Sequence, residues 1–329
     1  YVAGRILVRP KPGLSPKKFE KVLKRFGGRS KKTLGRSRVH LVELPQQANE
    51  DAVAKALSKS KEIKFAEPDF VFPPSEVIPD DEYYSQQWYL PQIDAPLAWD
   101  YSTGEGIVVA ILDSGINADH ADLASRLVSG WNFYNDNDDT SDIYGHGTKV
   151  AGVAGAEANN DVGIASVAWG GRIMPVRITY PDGYGSTSAI AQALDWLMQE
   201  DPDDPDKALA RVANLSFQGI SNSSTIVAAA QRFANRGGAV VTSAGNTGSM
   251  LSYPRENSII VVSGTQPDDV FWPVSSYGDF VDVSAPASGI YTAFPSGGYG
   301  DSSGTSFSSP IAAGIAALML SANPDLRQP

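Results

Sequence analysis

Three short stretches hold the side chains in this chain that are equipped for chemistry. Ser306 stands in Ser303-Gly304-Thr305-Ser306-Phe307-Ser308-Ser309-Pro310, ahead of an apolar run over 311–320. A hydroxyl between a glycine turn and a small-residue helix lies at a helix N-terminus, where unpaired N–H groups favour developing negative charge. Pro310 suits the first turn of such a helix and nothing deeper. Serine and threonine are also ordinary helix caps, so this segment decides nothing alone. Asp113 ends the apolar stretch 107–112 and is followed by Ser114-Gly115. A carboxylate there is costly to bury unless it accepts hydrogen bonds, although Asp-Ser-Gly is also a common turn. His146 lies between Gly145 and Gly147 and opens a small-residue helix. The chain has only 3 histidines. His40, on a strand of a basic segment, and His120, in a loop, read as structural. What distinguishes the set is the combination: carboxylate, histidine and serine in the order Asp…His…Ser, the parts of an oriented base and a nucleophile. The chain has no cysteine, which excludes disulfides, thiol nucleophiles and thiolate metal sites.

Such side chains need a scaffold that ends several elements at one place. From residue 107 onward, buried strands alternate with amphipathic helices: strands at 107–112, 172–178, 211–217, 239–243 and 259–263, helices at 148–156, 187–199, 224–235 and 307–321. Strand–helix alternation predicts an α/β fold with a doubly wound, mostly parallel sheet and its site at the C-terminal ends of the strands. The first seventy residues read differently. Strands at 4–9, 38–44 and 63–70, a helix over 16–26 capped by Ser15 and closed by Gly27-Gly28, and a helix capped by Asn49 give the β-α-β-β-α-β rhythm of a small ferredoxin-like α+β module. Pro73-Pro74-Ser75-Glu76 reads as a linker, dividing the chain into domains 1–76 and 77–329.

The 329 residues are enough for one large domain and a small one, and 42% hydrophobic content against 19% charged predicts a well-buried core. No apolar run of transmembrane length stands out, and Tyr1 opens no recognisable leader, so any targeting segment is expected to be absent from this sequence. The net charge of −10 conceals a split. Residues 1–76 carry 17 basic against 8 acidic side chains, a balance of +9, and the remainder 10 against 29, a balance of −19. A basic segment beside an acidic body suits either a polyanion-binding arm or an electrostatic partner of its own chain.

Three motifs in one order then carry a resemblance: residues 109–116 around Asp113, Gly145-His146-Gly147-Thr148 with residues 149–152, and Gly304-Thr305-Ser306. From about Asp80 to Asn323 the chain resembles a subtilisin-type serine protease of the thermitase-like branch, and the basic module resembles that family's N-terminal propeptide. The resemblance implies a serine endopeptidase: Ser306 as nucleophile, His146 as general base and acid, and Asp113 holding the imidazole. It makes Asn246, in Thr242-Ser243-Ala244-Gly245-Asn246, an oxyanion donor, a position that would otherwise read as a routine turn. It implies that substrate lies along Ser216, Phe217, Gln218 and Gly219, where the family has Ser-Leu-Gly-Gly, with Ser243, Ala244 and Gly245 opposite and Ser252 near the base of the first pocket. No charge stands at these positions, so apolar or aromatic residues are expected before the cut bond. Lys149 and Phe307 depart from the usual histidine and methionine and supply no reacting atom.

The same pattern implies a structural Ca²⁺ held by the side chains of Asp81, Asp122 and Asn160 and carbonyls of Glu157, Val162 and Ile164. Residues 132–142 suit a second ion or a solvated acidic loop, and the acidic loop 201–206 reads as plain solubility. As a propeptide, the +9 module is expected to template folding and inhibit the enzyme. Residues 69–76 are then expected in the cleft, with self-cleavage between Ser75 and Ile78, best at Glu76–Val77. Protein or peptide substrates and work outside the cytoplasm follow, with neither nucleic acid nor membrane as a partner. Two other readings stay open here: a catalytically silent subtilase fold used for binding, and a hydrolase whose basic module binds nucleic acid or a membrane surface.

Overall fold

The alternation in the first seventy residues folds as the rhythm predicts. In the computed structural model, which describes residues 1–72, 76–201 and 204–328, the order is β1 (Arg5–Pro10), α1 (Pro16–Lys24), β2 (Arg29–Leu34), β3 (Val39–Glu43), α2 (Glu50–Ser58) and β4 (Ile63–Pro68). The four strands form an antiparallel sheet in the order β2-β3-β1-β4. Ile6 and Val8 of β1 and Phe19, Val22 and Leu23 of α1 bury its core. The sequence Arg-Ser-Lys-Lys-Thr-Leu of β2 has no apolar alternation because it is an edge strand. Asn49 caps α2, accepting from the Ala52 N–H at 2.8 Å. Ser15 occupies the cap position of α1, but its side chain accepts no hydrogen bond there, and Pro16 begins the helix instead. Gly27, at φ +73°, lets the Gly28 N–H return to the Leu23 carbonyl and close α1.

Chain packing separates this unit, Tyr1–Pro74, from a second, Ser75–Pro329. Most of the expected linker, residues 73–75, and residues 202–203 of the acidic loop lie outside the described residues. The second unit contains β5 (Val108–Asp113), α3 (Gly147–Gly155), β6 (Arg172–Arg177), α4 (Thr187–Trp196), β7 (Val212–Leu215), α5 (Ser224–Asn235), β8 (Ala239–Ser243), β9 (Ile260–Gln266), β10 (Val283–Pro286) and α6 (Thr305–Ala322). Its sheet runs β9-β8-β7-β5-β6 in parallel, extended at one edge by Trp131–Asn132 and at the other by Val270–Phe271, which is antiparallel.

Both faces of this sheet are covered, which explains why β5 reads as a continuous apolar run. Val109 and Ile111 point into a core shared with α3 and α6, while Ala110 and Leu112 point into one shared with α4 and α5. Helix α6 is long and apolar enough to pass for a membrane span, with a mean hydropathy of 1.4 over 18 residues. It is instead a core helix, because Phe307, Ile311, Ala313 and Ala317 are buried against the sheet. From β5 the chain crosses to β6 on one side and then to β7 on the other. The C-terminal ends of β5 and β7 therefore flank the topological switch, where a crevice opens in such sheets.

Candidate active site

Asp113 is the last residue of β5 and is only 2% exposed. Its carboxylate is satisfied by neighbours: the Ser114 N–H donates to Oδ1 at 2.7 Å, and His146 Nδ1 lies 2.9 Å from each oxygen. An acceptor pair facing Nδ1 places the ring proton there and leaves Nε2 with a lone pair directed away from the carboxylate. Burial by itself would lower the His146 pKa. The Asp113 charge and hydrogen bond together outweigh it, so the net shift is upward from 6.5.

His146 caps α3, and its glycine neighbours are required by space. A Cβ on Gly147 would lie 2.1 Å from the Gly115 carbonyl oxygen, and Gly145 has φ +87°. Asp142 organises this corner. It accepts from Ser114 Oγ at 2.7 Å, from the Gly145 N–H at 2.7 Å, and from both the N–H at 2.9 Å and the hydroxyl of Thr148. Ser114 Oγ in turn accepts from the Gly147 N–H at 2.9 Å. A carboxylate at the first turn of α3 is favourably placed against the helix dipole. Asp142 thus acts as a helix cap at one end of the stretch 132–142. The signal was an aspartate four residues before a glycine-flanked histidine.

Ser306 is the second residue of α6, which begins at Thr305, one residue before the nucleophile candidate. Pro310 therefore sits inside the helix, not in its first turn as its type suggests. Proline has no N–H, so the Ser306 carbonyl loses its intrahelical donor. Ser216 replaces that donor, its hydroxyl giving a hydrogen bond to the Ser306 carbonyl at 2.9 Å. The relay extends inward. Asn214 Nδ2 donates to Ser216 Oγ at 3.1 Å, and the Ser309 hydroxyl donates to Asn214 Oδ1. Asn214 and Ser309 are fully buried.

Asn246 follows β8 and faces the same helix start. Its Oδ1 accepts from the Thr305 N–H and from Thr305 Oγ1, both at 2.9 Å, and Thr305 Oγ1 accepts from the Gly245 N–H at 3.1 Å. With the oxygen held by two donors, the amide NH₂ is the end left free beside Gly304. The His146 ring lies 6.2 Å, centroid to centroid, from that of Phe307, the residue after Ser306. The fold thus brings Asp113, His146, Ser306 and Asn246 to one end of the sheet.

The expected cleft walls extend from adjacent parallel strands, with Leu215 of β7 paired in register with Thr242 of β8. Thr242 Oγ1 donates to the Phe217 carbonyl at 2.7 Å and joins the two walls. Ser216, Ser243 and Ala244 are buried, Phe217 and Gly219 half-buried, and Gln218 exposed. Beside Phe217 a depression of ≈ 520 Å³ is lined by Tyr184, Thr187, Ile190, Gly219 and Ile226. Ser252 is exposed, and it is the adjacent Tyr253 that touches the wall, through Gln218.

A second cluster lies among the acidic residues. Asp81 and Asp122 are 5% and 0% exposed, and Asp81 Oδ1 has no hydrogen-bond partner. Asp81 Oδ2 accepts from the Asn159 N–H at 3.0 Å, and Asp122 Oδ2 from the Ile164 N–H at 2.9 Å. Asn160 Nδ2 lies 3.4 Å from Asp122 Oδ1. Burial raises the pKa of both carboxyls, and Asp122 adds repulsion at Asp81. Two buried carboxylates with an unfilled oxygen fit a hard cation. The Glu157 side chain turns instead to Ser125 Oγ, which leaves only its carbonyl for such a site. Among the described residues no three His, Asp or Glu side chains gather, and the expected set requires only two. His120 is structural: its Nδ1 accepts from the Asp122 N–H at 3.2 Å, its Nε2 faces the Gly298 carbonyl at 3.2 Å, and its ring packs on Tyr299.

Comparison with known proteins gives this geometry a lineage. The subtilase family matches residues 104–329, and the fervidolysin N-terminal prodomain matches residues 1–69. Thermitase of Thermoactinomyces vulgaris is 38% identical over 246 residues, 74% of this chain and 85% of the relative. A thermophilic serine proteinase of Bacillus sp. (strain AK1) is 33% identical over 327 residues, 98% of this chain and 79% of the relative. The crystal structure of a cold adapted subtilisin-like serine proteinase superposes with a TM-score of 0.61 at 33% identity, covering 69% of this chain and 80% of that one. The chain belongs to the subtilase family and is a subtilisin-like serine endopeptidase that carries a prodomain.

Proposed function

We propose that the enzyme cleaves peptide bonds through Ser306, His146, Asp113 and Asn246. The observation that carries this reading is the Asp113–His146 pair, 2.9 Å at both oxygens, with the imidazole's free nitrogen left for a proton. Ser306 Oγ attacks the carbonyl carbon as its proton passes to His146 Nε2. The resulting oxyanion is met by the Ser306 N–H and the free amide of Asn246. Collapse breaks the C–N bond, and His146 gives its proton to the departing amine. Water, deprotonated by the same imidazole, then releases the acyl group and restores Ser306. Asp113 keeps the ring in the correct tautomer and stabilises its cation. Ser306 Oγ has no hydrogen bond to the ring in this structure, a contact that free enzymes often hold long and tighten on substrate.

Substrate runs as an added strand along 216–219, opposite 243–245. Residues 1–76, basic against an acidic enzyme, act as inhibitor and folding template for residues 77–329, and self-cleavage at Glu76–Val77 releases them. That arrangement suits an endopeptidase working outside the cytoplasm, because it stays silent until export. Asp81, Asp122 and Asn160, with carbonyls of Glu157, Val162 and Ile164, would hold Ca²⁺, which supplies positive charge to neutralise two buried carboxylates. A fluorophosphonate probe tests the central claim. It should label the protein and fail on Ser306→Ala; labelling that survives the substitution would refute the assignment.

A further inference from the structure

The two walls of the cleft differ in what they project. Gly245 has no side chain and a φ of +107°, whereas Gln218 leaves the opposite wall and crosses to it. A Cβ built on Gly245 would fall 2.0 Å from Gln218 Oε1, 2.5 Å from its Cδ and 2.9 Å from its Cγ. The outer half of the glutamine therefore occupies the space directly over the Gly245 backbone. Its far end is tied down as well, because Nε2 donates to Tyr253 Oη at 2.9 Å. Tyr253 is braced edge-on against Phe280, with ring centroids 5.0 Å apart, and Phe280 is only 2% exposed. Gln218 is itself exposed, so it plays no part in the core.

We propose that Gln218 is a size filter on the first subsite, the pocket that takes the side chain before the cut bond. The inference rests on reading 216–219 and 243–245 as the substrate cleft. Uncharged walls admit apolar side chains, and the glutamine selects among them. An alanine fits beneath or beside the crossing amide. A phenylalanine ring requires Gln218 to leave Gly245 and break its bond to Tyr253. The hydrogen-bonded amide resists that displacement, so the discrimination belongs to kcat/KM and scales with side-chain bulk.

The test uses the full chain matured by its own activity, with its active sites counted by fluorophosphonate titration. Peptides differing only in Ala, Leu or Phe before the cut bond are compared by kcat/KM. The wild type should favour Ala over Phe. Gln218→Gly should raise the Phe/Ala ratio at least tenfold, and Tyr253→Phe, which removes only the latch, should raise it by a smaller factor. A wild type that prefers Phe, or a ratio unmoved by Gln218→Gly, would overturn the filter while leaving the protease reading intact. A protein that titrates with no probe and cleaves none of the three peptides would instead fail the protease reading and take the filter with it.

Discussion

Removing the Ser216 hydroxyl should destabilise the enzyme largely because Pro310 is a proline. Proline at the sixth position of α6 leaves the carbonyl of the half-buried Ser306 without an intrahelical donor, and Ser216 supplies one at 2.9 Å. Ser216→Ala would strand that acceptor at a cost of about 1–3 kcal/mol, and would also leave Asn214 Nδ2 without its partner. Pro310→Ala returns an N–H to the position that bonds the Ser306 carbonyl. In that background Ser216→Ala should lose only the Asn214 contact. The two costs should then differ by about 1 kcal/mol or more, well outside the ~0.3–0.5 kcal/mol expected of independent sites. The cycle is best run in a Ser306→Ala background, which prevents self-digestion and keeps the carbonyl. Urea unfolding followed by tryptophan fluorescence isolates the relevant unit, since all 6 tryptophans lie at or beyond position 88. Equal costs of Ser216→Ala in the two backgrounds would refute the compensation.

Three further outcomes follow from the same structure. Thr305→Val removes one of two donors that orient the Asn246 amide, so kcat should fall about tenfold with less change in KM, short of the ~10²–10³ that losing the whole donor costs in a relative of this family. Thr305→Ser should keep most of the rate, and an unchanged Thr305→Val enzyme would refute the lock. Because the folded His146 pKa is raised above 6.5, the acid limb of kcat/KM should have its midpoint above 6.5. Its stabilising interaction with Asp113 is fully present below that pH and is lost as pH rises through the folded value. Asp113→Asn should leave burial as the main influence, moving the limb downward and cutting the rate by about 10⁴; a wild-type midpoint below 6.5 would refute the pairing. Finally, chelation at neutral pH should lower Tm, with calcium at about 100 times Kd contributing about 2.7 kcal/mol. Raised carboxyl values at Asp81 and Asp122 mean that protons can replace the cation, so the shift should fade on acidification and vanish in Asp81→Asn. A chelator that moves Tm neither in the wild type nor in the variant would remove the site.

What the sequence made legible was punctuation. Asp113 closes an apolar run, His146 sits between glycines, and Ser306 follows Gly304, and each marks a place where a strand or helix ends. The parallel sheet was legible for a related reason: strands covered on both faces, like β5, carry no polar alternation to confuse the reading. Edge strands were harder. Arg29–Leu34 is six residues with a single apolar side chain, because an edge pairs on one side and faces solvent on the other. Pro310 lies beyond the first turn because the helix starts at Thr305, two residues ahead of the expected 307, and Gly304-Thr305 gives no local sign of it. Asp142 was grouped with its acidic neighbours, because composition does not distinguish a carboxylate that solvates from one that caps.

The remaining gap is one of distance along the chain. Ser216 and Ser306 are 90 positions apart, one just past a strand and one at a helix start, and no local pattern says that one hydroxyl completes the other's backbone. The same holds for Thr305 with Asn246, 59 apart, and for His146 with Asp113, 33 apart. Each side chain proposed to act in catalysis is short and stands at or beside an element's end, so little of its position is fixed by its own rotamer. It is fixed by which buried donor or acceptor the fold delivers to its neighbour. Substitutions at Asn214, Ser216 and Thr305 should therefore alter stability and turnover together. Substitutions at the exposed Gln218, tied only to Tyr253 at the cleft's surface, should alter selectivity among substrates with little effect on stability.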